Sequence, residues 1–335
     1  MKILLTGGAG YIGSHTAISL TEMGHEVVLF DNFINSNDDV LIKITKILDR
    51  ELPFIEGDVR NTELLKNVLN THKIDAVIHF AGLKAVGESN KNPIEYYANN
   101  VQGTISLLEA MTSLGVNKLV FSSSATVYGE PQYLPIDEEH TLAATNPYGR
   151  SKLHIEEILK DVALSDPAWH IVCLRYFNPV GAHESGLIGE DPRGFPNNLL
   201  PYIAQVAGGI RPDLAIFGDD YQTSDGTGIR DYIHVVDLAE GHVKALQFLE
   251  NNHGWNAMNL GTGKGHSVFE AIEAFENASA QKIPYRIVPR RMGDVPECYA
   301  NPGKAKIVLG WSAKRTLKDM CLSAWNFQKK NIKNL

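Results

Sequence analysis

The feature that most limits the possible folds is the alternation of short apolar segments with longer amphipathic ones in the first half of the chain. Helical patterns such as residues 93–115 and 147–164 separate the apolar segments. Strands that are apolar throughout and that alternate with helices predict a parallel sheet covered on both faces. We therefore predict an α/β fold with a doubly wound parallel sheet. Its strands are expected at residues 2–7, 26–31, 53–58, 75–82, 118–124 and 170–178.

The pattern loosens after Asn178 into segments rich in glycine and proline, such as NPVGAHESGLIGEDPRGFP and FGDDYQTSDGTGIRD. Long irregular stretches in a compact protein are more often binding loops than linkers. We predict a nucleotide-binding domain over residues 1–178 and a smaller α/β substrate domain over residues 179–335. Residues 232–260 have strand and helix character of their own and are expected to return to the first domain.

The composition argues against several classes of partner. The 335 residues carry a formal net charge of −8, so bulk charge favours neither nucleic acid nor an acidic membrane surface. The apolar segments are too short to span a bilayer, and the beginning of the chain lacks the pattern of a signal peptide. Three widely spaced cysteines and scattered histidines argue against a disulfide framework or a metal site. We expect a cytoplasmic protein without a metal ion.

A glycine-rich loop follows the first predicted strand directly. In TGGAGYIG the spacing is Gly7-x-x-Gly10-x-x-Gly13, and a helical pattern begins after it. Glycines allow a tight turn and a close approach to a pyrophosphate, whose charge the helix N-terminus favours. The second strand ends at Asp31, where a carboxylate accepts hydrogen bonds from the adenine ribose and repels a 2′-phosphate. The loop predicts a dinucleotide site that prefers NAD, with Asp58 placed at the adenine.

Three serines, Ser122 to Ser124, end the fifth predicted strand, at the sheet edge where ligands bind. The following helix carries Tyr148 and Lys152, whose spacing of four places both on one face. A phenol has a pKa of about 10, and a cation about 4 Å away lowers it by up to about three units, less the cost of burial. The two residues are either a solvated helix pair or a catalytic base.

The glycine loop, the strand-end serine and Tyr-x-x-x-Lys together resemble the extended short-chain dehydrogenase/reductase family. Further segments resemble its UDP-glucose 4-epimerases, and the likeness runs from about residue 2 to residue 315. It implies a Rossmann domain with a small substrate domain, a homodimer and a tightly bound NAD. It also implies reversible epimerisation of UDP-glucose and UDP-galactose at C4. The segments are DNFINS, FAGLKAVGES, FSSSATVYG, RYFNPVGAH, GDDYQTSDGTGIRDYIHV and RRMGD.

The resemblance implies roles for individual residues. Tyr148 removes the proton of the hexose 4-hydroxyl, Ser124 hydrogen-bonds the same oxygen, and Lys152 holds the nicotinamide ribose. The 4-keto sugar formed by hydride loss then turns over in the site and regains the hydride on its other face. The implied cofactor positions are Gly7, Gly10, Tyr11, Ile12, Gly13, Asp31, Asn32, Asn35, Ser36, Asp58, Val59, Phe80, Ala81, Gly82, Lys84, Asn99, Ser122, Tyr148, Lys152 and Phe177. The implied substrate positions are Lys84, Ser124, Ala125, Thr126, Tyr148, Asn178, Asn198, Leu199, Ala215, Ile216, Phe217, Arg230, Arg291, Asp294 and Cys298.

One of these positions varies within the family, because Cys298 stands where some members carry a tyrosine. A small residue leaves room beside the sugar. We therefore predict that UDP-N-acetylglucosamine and UDP-N-acetylgalactosamine are turned over too. The alternative is that a neighbouring loop fills the space.

Other functions are compatible with the same fold. A sugar-nucleotide 4,6-dehydratase needs an acid pair after the serine or threonine of the fifth strand, but this chain reads Ser124-Ala125-Thr126. A cofactor-sensing regulator on a Rossmann scaffold does not need Tyr148. Another NAD-dependent sugar-nucleotide epimerase is the nearest alternative.

Overall fold

A computed structural model gives the structure of the protein and describes residues 1–191, 196, 198–291 and 293–332. The strands are β1 (Lys2–Thr6), β2 (Glu26–Asp31), β3 (Phe54–Glu56), β4 (Ala76–His79), β5 (Lys118–Ser124), β6 (His170–Tyr176), β7 (Asn178–Val180), β8 (Leu214–Phe217), β9 (Ile229–His234), β10 (Gly254–Leu260), β11 (Gly265–Ser267), β12 (Tyr285–Val288) and β13 (Glu297–Cys298). The α-helices are α1 (Tyr11–Glu22), α2 (Asp39–Leu48), α3 (Thr62–His72), α4 (Val86–Lys91), α5 (Pro93–Tyr96), α6 (Gln102–Ser113), α7 (Pro147–Ser165), α8 (Leu199–Ala207), α9 (Val235–Leu249), α10 (Val268–Ser279), α11 (Gly303–Leu309) and α12 (Leu317–Ile332).

A seven-stranded sheet forms the centre, in the order β10-β6-β5-β4-β1-β2-β3. Every neighbouring pair in it is parallel. Apolar side chains cover both faces, with Ile18 of α1 and Leu246 of α9 in one core and Leu107 of α6 and Leu159 of α7 in the other. The predicted α/β fold with a doubly wound parallel sheet is therefore confirmed.

The strand order reverses between β1 and β4, because β2 and β3 lie on one side of β1 whereas β4, β5 and β6 lie on the other. The loops after β1 and β4 consequently diverge and leave a crevice at the carboxyl ends of the strands. Ligands of open α/β sheets bind at such a switch point. The glycine-rich loop follows β1, so it lies at this crevice.

The chain leaves the central sheet after β6 and returns to it with β10. β10 pairs with β6 from Gly254↔His170 to Leu260↔Tyr176, and the preceding helix α9 packs against α1. Between these two strands lie β7, α8, β8 and β9, which belong to the smaller part of the molecule.

The smaller part of the molecule is organised around β9, which pairs with β7, β11 and β13. A separate pair, β8 and β12, is parallel. Helices α8, α10 and α12 pack together over a core that includes Ile203, Phe275 and Met320. No helix within the described part of the chain is both long enough and apolar enough to cross a membrane.

Candidate active site

A cleft of about 1110 Å³ runs along the carboxyl ends of the central strands and reaches the smaller part of the molecule. It brings together predicted residues from widely separated parts of the chain. Those that line it are Gly7, Gly10, Tyr11, Ile12, Gly13, Asp31, Asn32, Asn35, Ser36, Val59, Phe80, Ala81, Gly82, Lys84, Asn99, Ser122, Ser124, Ala125, Thr126, Tyr148, Lys152, Phe177, Asn178, Asn198, Arg230, Asp294 and Cys298.

Six predicted residues lie outside the described lining of this cleft: Asp58, Leu199, Ala215, Ile216, Phe217 and Arg291. Asp58 accepts hydrogen bonds from the Arg60 guanidinium, with Nε···Oδ1 at 2.9 Å and Nη2···Oδ2 at 2.6 Å. The Arg291 guanidinium stacks on the Phe217 ring, 3.8 Å from its centroid. Ligand roles for these six residues, like those for the residues that line the cleft, stay predictions.

The glycine-rich loop has the geometry that a diphosphate needs. Gly10 is the N-cap of α1 and has no side chain to satisfy the first backbone N–H groups of the helix, so these groups are free to bind an anion. Gly7 has a φ of +71°, and a Cβ on Gly13 would lie 2.2 Å from Gly7 O. Side chains at either position would push the loop away from the helix. The residues present therefore fit the diphosphate of NAD.

Asp31 at the end of β2 fixes the loop next to the predicted adenosine site. Its carboxylate accepts hydrogen bonds from Ala9 N at 3.0 Å, from Phe33 N at 2.9 Å and from Ser36 Oγ at 3.0 Å. Asp31 is only 8% exposed, and it lines the cleft. A buried carboxylate at this point suits the ribose hydroxyls of NAD and opposes the extra phosphate of NADP.

A π-helical turn at Tyr97–Val101, between α5 and α6, shapes the next part of the wall. Such turns are frequent at functional sites. Asn99 in this turn lines the cleft, whereas Asn100 is buried and clamps the loop after β4. Its Oδ1 accepts from Leu83 N at 2.8 Å, and its Nδ2 donates to Ser151 Oγ of α7 at 3.0 Å. The turn thus ties the cofactor wall to the helix that carries the predicted base.

Tyr148 and Ser124 are neighbours because α7 begins against the end of β5. Asn146 caps the helix by accepting from Gly149 N at 2.9 Å, and a Cβ on Gly149 would lie 2.8 Å from Thr126 O. This close approach brings the Tyr148 phenol and the Ser124 side chain together in the cleft. The two hydroxyl groups can therefore share one oxygen of a ligand.

Lys152 lies one turn further along α7 and is 4% exposed. Its Nζ donates to Ser122 O at 2.7 Å and lies 4.8 Å from the Phe121 ring centroid and 6.0 Å from that of Tyr148. Burial lowers the pKa of Lys152 to about 8, although the Glu156 carboxylate opposes the shift. The ammonium is held by the strand that carries the serines.

The electrostatics of Tyr148 differ from our expectation that Lys152 lowers the pKa of its phenol. Burial raises the pKa of Tyr148 above 10, and the nearby Ser124 side chain offsets only part of this rise. The reason is geometric, because the Lys152 ammonium turns towards Ser122 O rather than towards the phenol. The side chains around Tyr148 therefore favour the neutral phenol.

The buried ammonium predicts that stability depends on pH. The pKa of Lys152 is about 8 in the folded protein and usually 10.5, so the unfolded chain binds more protons between these values and the free energy of unfolding rises with pH. Lys152→Met lacks this group. We expect the wild type to gain stability relative to Lys152→Met between about pH 8 and pH 10.5, as measured by urea unfolding. A pH-independent difference between the two proteins would contradict this.

A buried ion pair, which we did not predict from the sequence, contacts the serine-bearing strand β5 through Ser123. The Arg175 guanidinium contacts the Glu156 carboxylate at two points, with Nε···Oε1 at 3.0 Å and Nη2···Oε2 at 2.6 Å, and the two residues are 1% and 2% exposed. Ser123 Oγ donates to the same carboxylate, and Arg175 Nη1 donates to Tyr128 Oη at 2.9 Å. Two signals could have revealed the pair: a charged residue within an apolar strand, and an acid four positions after Lys152.

Three of the predicted substrate residues, Arg230, Asp294 and Cys298, lie at or next to the pairing of β9 and β13. Arg230 lies opposite Cys298 in this pair, and its Nη2 is 3.9 Å from Asp294 Oδ1. Burial raises the pKa of the Cys298 thiol to about 11, so the thiol is neutral at pH 7. Within the part of the chain that the structure describes, no group of three or more His, Cys, Asp or Glu side chains is arranged to hold a metal ion.

Comparisons with known proteins identify the family of the chain. The sequence profile of the NAD dependent epimerase/dehydratase family matches residues 3–261. A UDP-glucose 4-epimerase of Bacillus subtilis is 55% identical over 332 residues, which cover 99% of this chain and 98% of that protein.

Two solved structures are also similar along their whole length. The UDP-glucose-4-epimerase of Stenotrophomonas maltophila, with bound NAD and formylated UDP-arabinopyranose, has a TM-score of 0.98 at 50% identity and 100% coverage of both chains. That of Bifidobacterium longum, in complex with NAD⁺ and UDP, has a TM-score of 0.97 at 52% identity and the same coverage. The resemblance found in the sequence motifs is thereby confirmed. The chain belongs to the NAD dependent epimerase/dehydratase family, in the group of its UDP-glucose 4-epimerases.

Proposed function

We propose that the protein interconverts UDP-glucose and UDP-galactose at C4 and keeps NAD bound in the cleft during turnover. The observation that carries this proposal is the meeting of Ser124, Tyr148 and Lys152 in the same cleft as the glycine-rich loop. The bound NAD⁺ and UDP of the Bifidobacterium longum relative support a site for both ligands.

The residues of the site divide the chemistry between them. Tyr148 takes the proton of the sugar 4-hydroxyl, Ser124 hydrogen-bonds the same oxygen, and Tyr148 returns the proton at the end. When bound, NAD supplies a reversible hydride acceptor and a positive charge that favours the phenolate. Lys152, whose Nζ donates to Ser122 O and lies 6.0 Å from the Tyr148 ring centroid, lines the same cleft and would hold the nicotinamide ribose. The substrate is neither oxidised nor reduced overall, so the reaction is an isomerisation.

Arg230 and Asp294 belong to the nucleotide end of the proposed substrate site. Arg230 is already oriented, because its Nη1 donates to Ile229 O at 2.8 Å. Its guanidinium retains further N–H donors that can bind a diphosphate. The Arg291 side chain, stacked on Phe217, is exposed and can provide a second cation. This arrangement holds the nucleotide firmly while the sugar lies near Ser124.

The decisive assay is incubation of the purified protein with UDP-galactose without added NAD, followed by product analysis. We expect UDP-glucose to accumulate until both sugars are at equilibrium. A product that has lost water would favour a dehydratase instead. If no product forms even with added NAD, the proposal is wrong.

We further infer activity on the N-acetylated UDP-hexosamines. Cys298 lines the cleft, whereas Tyr299 is absent from its described lining and packs against Gly265. The larger side chain in Cys298→Tyr is expected to lower kcat/KM for UDP-N-acetylglucosamine at least about tenfold and that for UDP-glucose less than about threefold. Cys298→Ser, which preserves the space, is the matched control. Absence of N-acetylhexosamine turnover in the wild type would contradict the inference.

We also infer a homodimer formed through helices of the first half of the chain, and a cytoplasmic location. Ile94 of α5 is 83% exposed and Leu164 of α7 is 75% exposed, and a second copy would cover such apolar surface. Light scattering is expected to give twice the mass of one chain. A monomer at micromolar concentration would contradict this inference.

A further inference from the structure

A short hairpin from the smaller part of the molecule forms a section of the cleft wall. Ala182 and Gly189 face each other in an antiparallel bridge. Two side chains of α12 hold the hairpin: Ser323 Oγ accepts from Ala182 N at 3.2 Å, and Asn326 Nδ2 donates to a hairpin carbonyl at 3.2 Å. The hairpin, residues 182–189, is therefore a fixed wall.

The residue after the hairpin, Glu190, reaches the opposite side of the cleft. Lys84, which follows β4, donates from Nζ to Glu190 Oε1 at 3.1 Å. Asn198 Nδ2 donates to the same oxygen at 2.6 Å. All three residues line the cleft, and the Glu190 side chain is 7% exposed against 51% for Lys84. The ion pair thus joins the cofactor side of the cleft to the wall fixed on α12.

The second carboxylate oxygen of Glu190 indicates that this residue does more than stabilise the fold. Its Oε2 is buried and has no hydrogen-bond partner among the residues that the structure describes. A buried oxygen without a partner costs free energy. A carboxylate also repels the diphosphate of a dinucleotide in the same cleft, so its charge does not attract the cofactor directly. The contribution of Glu190 must therefore come through the groups that it holds.

We propose that Glu190 is a latch residue, whose ion pair with Lys84 closes the cleft over bound NAD and slows the release of the cofactor. This inference rests on the NAD site of the proposed function. The same wall is tied to the glycine-rich loop at a second point, where Tyr11 Oη donates to Gly181 O at 2.7 Å. Breaking the Lys84 contact removes one of these two described ties between the cofactor side of the cleft and the opposite wall.

The test measures the rate at which NAD leaves the purified holoenzyme after dilution into NAD-free buffer, without sugar substrate. Glu190→Gln is expected to accelerate release about tenfold, because the charged contact is lost. Simple charge repulsion predicts the opposite, since removing an anion near the diphosphate slows release. Glu190→Asp keeps the charge but shortens the side chain, and it is expected to accelerate release as well.

Glu184→Gln is the matched control, since this glutamate is exposed, belongs to the same hairpin and lies outside the described cleft lining. Its release rate is expected to equal that of the wild type. Salt is expected to accelerate release from the wild type, because Lys84 is half exposed, and to have less effect on Glu190→Gln.

Unchanged or slower release from Glu190→Gln, or equal acceleration in Glu184→Gln, would overturn the latch. Because sugar turnover is not measured, that outcome would leave the epimerase proposal standing.

Discussion

Tyr148→Phe is expected to lower kcat for UDP-galactose by about 10²- to 10⁴-fold, the usual contribution of a positioned general base. The phenylalanine keeps the ring at the start of α7 and removes only the hydroxyl near Ser124. Bound NAD and the thermal midpoint of unfolding should therefore change little. Steady-state kinetics on protein of known NAD content measures the effect.

Tyr299→Phe provides the control for this experiment, because it removes a hydroxyl next to Cys298 but outside the described lining of the cleft. We expect it to retain nearly full activity. Undiminished epimerisation by Tyr148→Phe would exclude the phenol as the base. An equal loss in both variants would indicate that a general disturbance, and not the missing base, causes the defect.

Arg175→Met is expected to destabilise the protein by about 3–5 kcal/mol, because it leaves the buried Glu156 carboxylate without its cation. The effect is large because both residues are almost fully buried and Ser123 donates to the same carboxylate. Urea unfolding at pH 7 measures the loss. Activity should fall as well, since Ser122 and Ser124 are the neighbours of Ser123 in β5.

The double variant Glu156→Leu/Arg175→Met tests whether the loss of stability comes from the unpaired charge or from altered packing. Replacing both charges by apolar side chains of similar volume is often neutral or stabilising, so most of the lost stability should return. A double variant as unstable as Arg175→Met alone would show that the unpaired charge is not the cause. An exposed pair such as Lys66 and Glu63 on α3 is the comparison, and its loss should cost less than about 1 kcal/mol.

The central sheet was predictable because burial on both faces leaves a direct mark on the sequence. The strand expected at residues 118–124 has these bounds in the structure, and the one expected at residues 170–178 ends at Tyr176. The glycine spacing likewise predicted the loop after β1, since Gly7 and Gly13 have backbone positions that a side chain would disturb. These are local constraints, which single residues can reveal.

Other parts of the site depend on contacts between distant segments, which no spacing reveals. Spacing places Lys152 on the same helix face as Tyr148, but only the position of β5 turns its ammonium towards Ser122 O. For this reason the expected fall in the pKa of Tyr148 was wrong for the protein's own side chains. Glu190 follows a loop without periodicity, and its meeting with Lys84 depends on how α12 holds the hairpin.

β10 is the last strand of the central sheet along the chain, so the sheet stays incomplete while the chain is being synthesised. Until residues 254–260 leave the ribosome, one edge of β6 has no strand beside it, and α1 lacks its cover from α9. An open strand edge invites pairing with other chains. Synthesis of the smaller part therefore prolongs the interval in which the nucleotide-binding sheet is incomplete. A truncated product ending near residue 178 is expected to aggregate, because its outermost strand never receives its last neighbour.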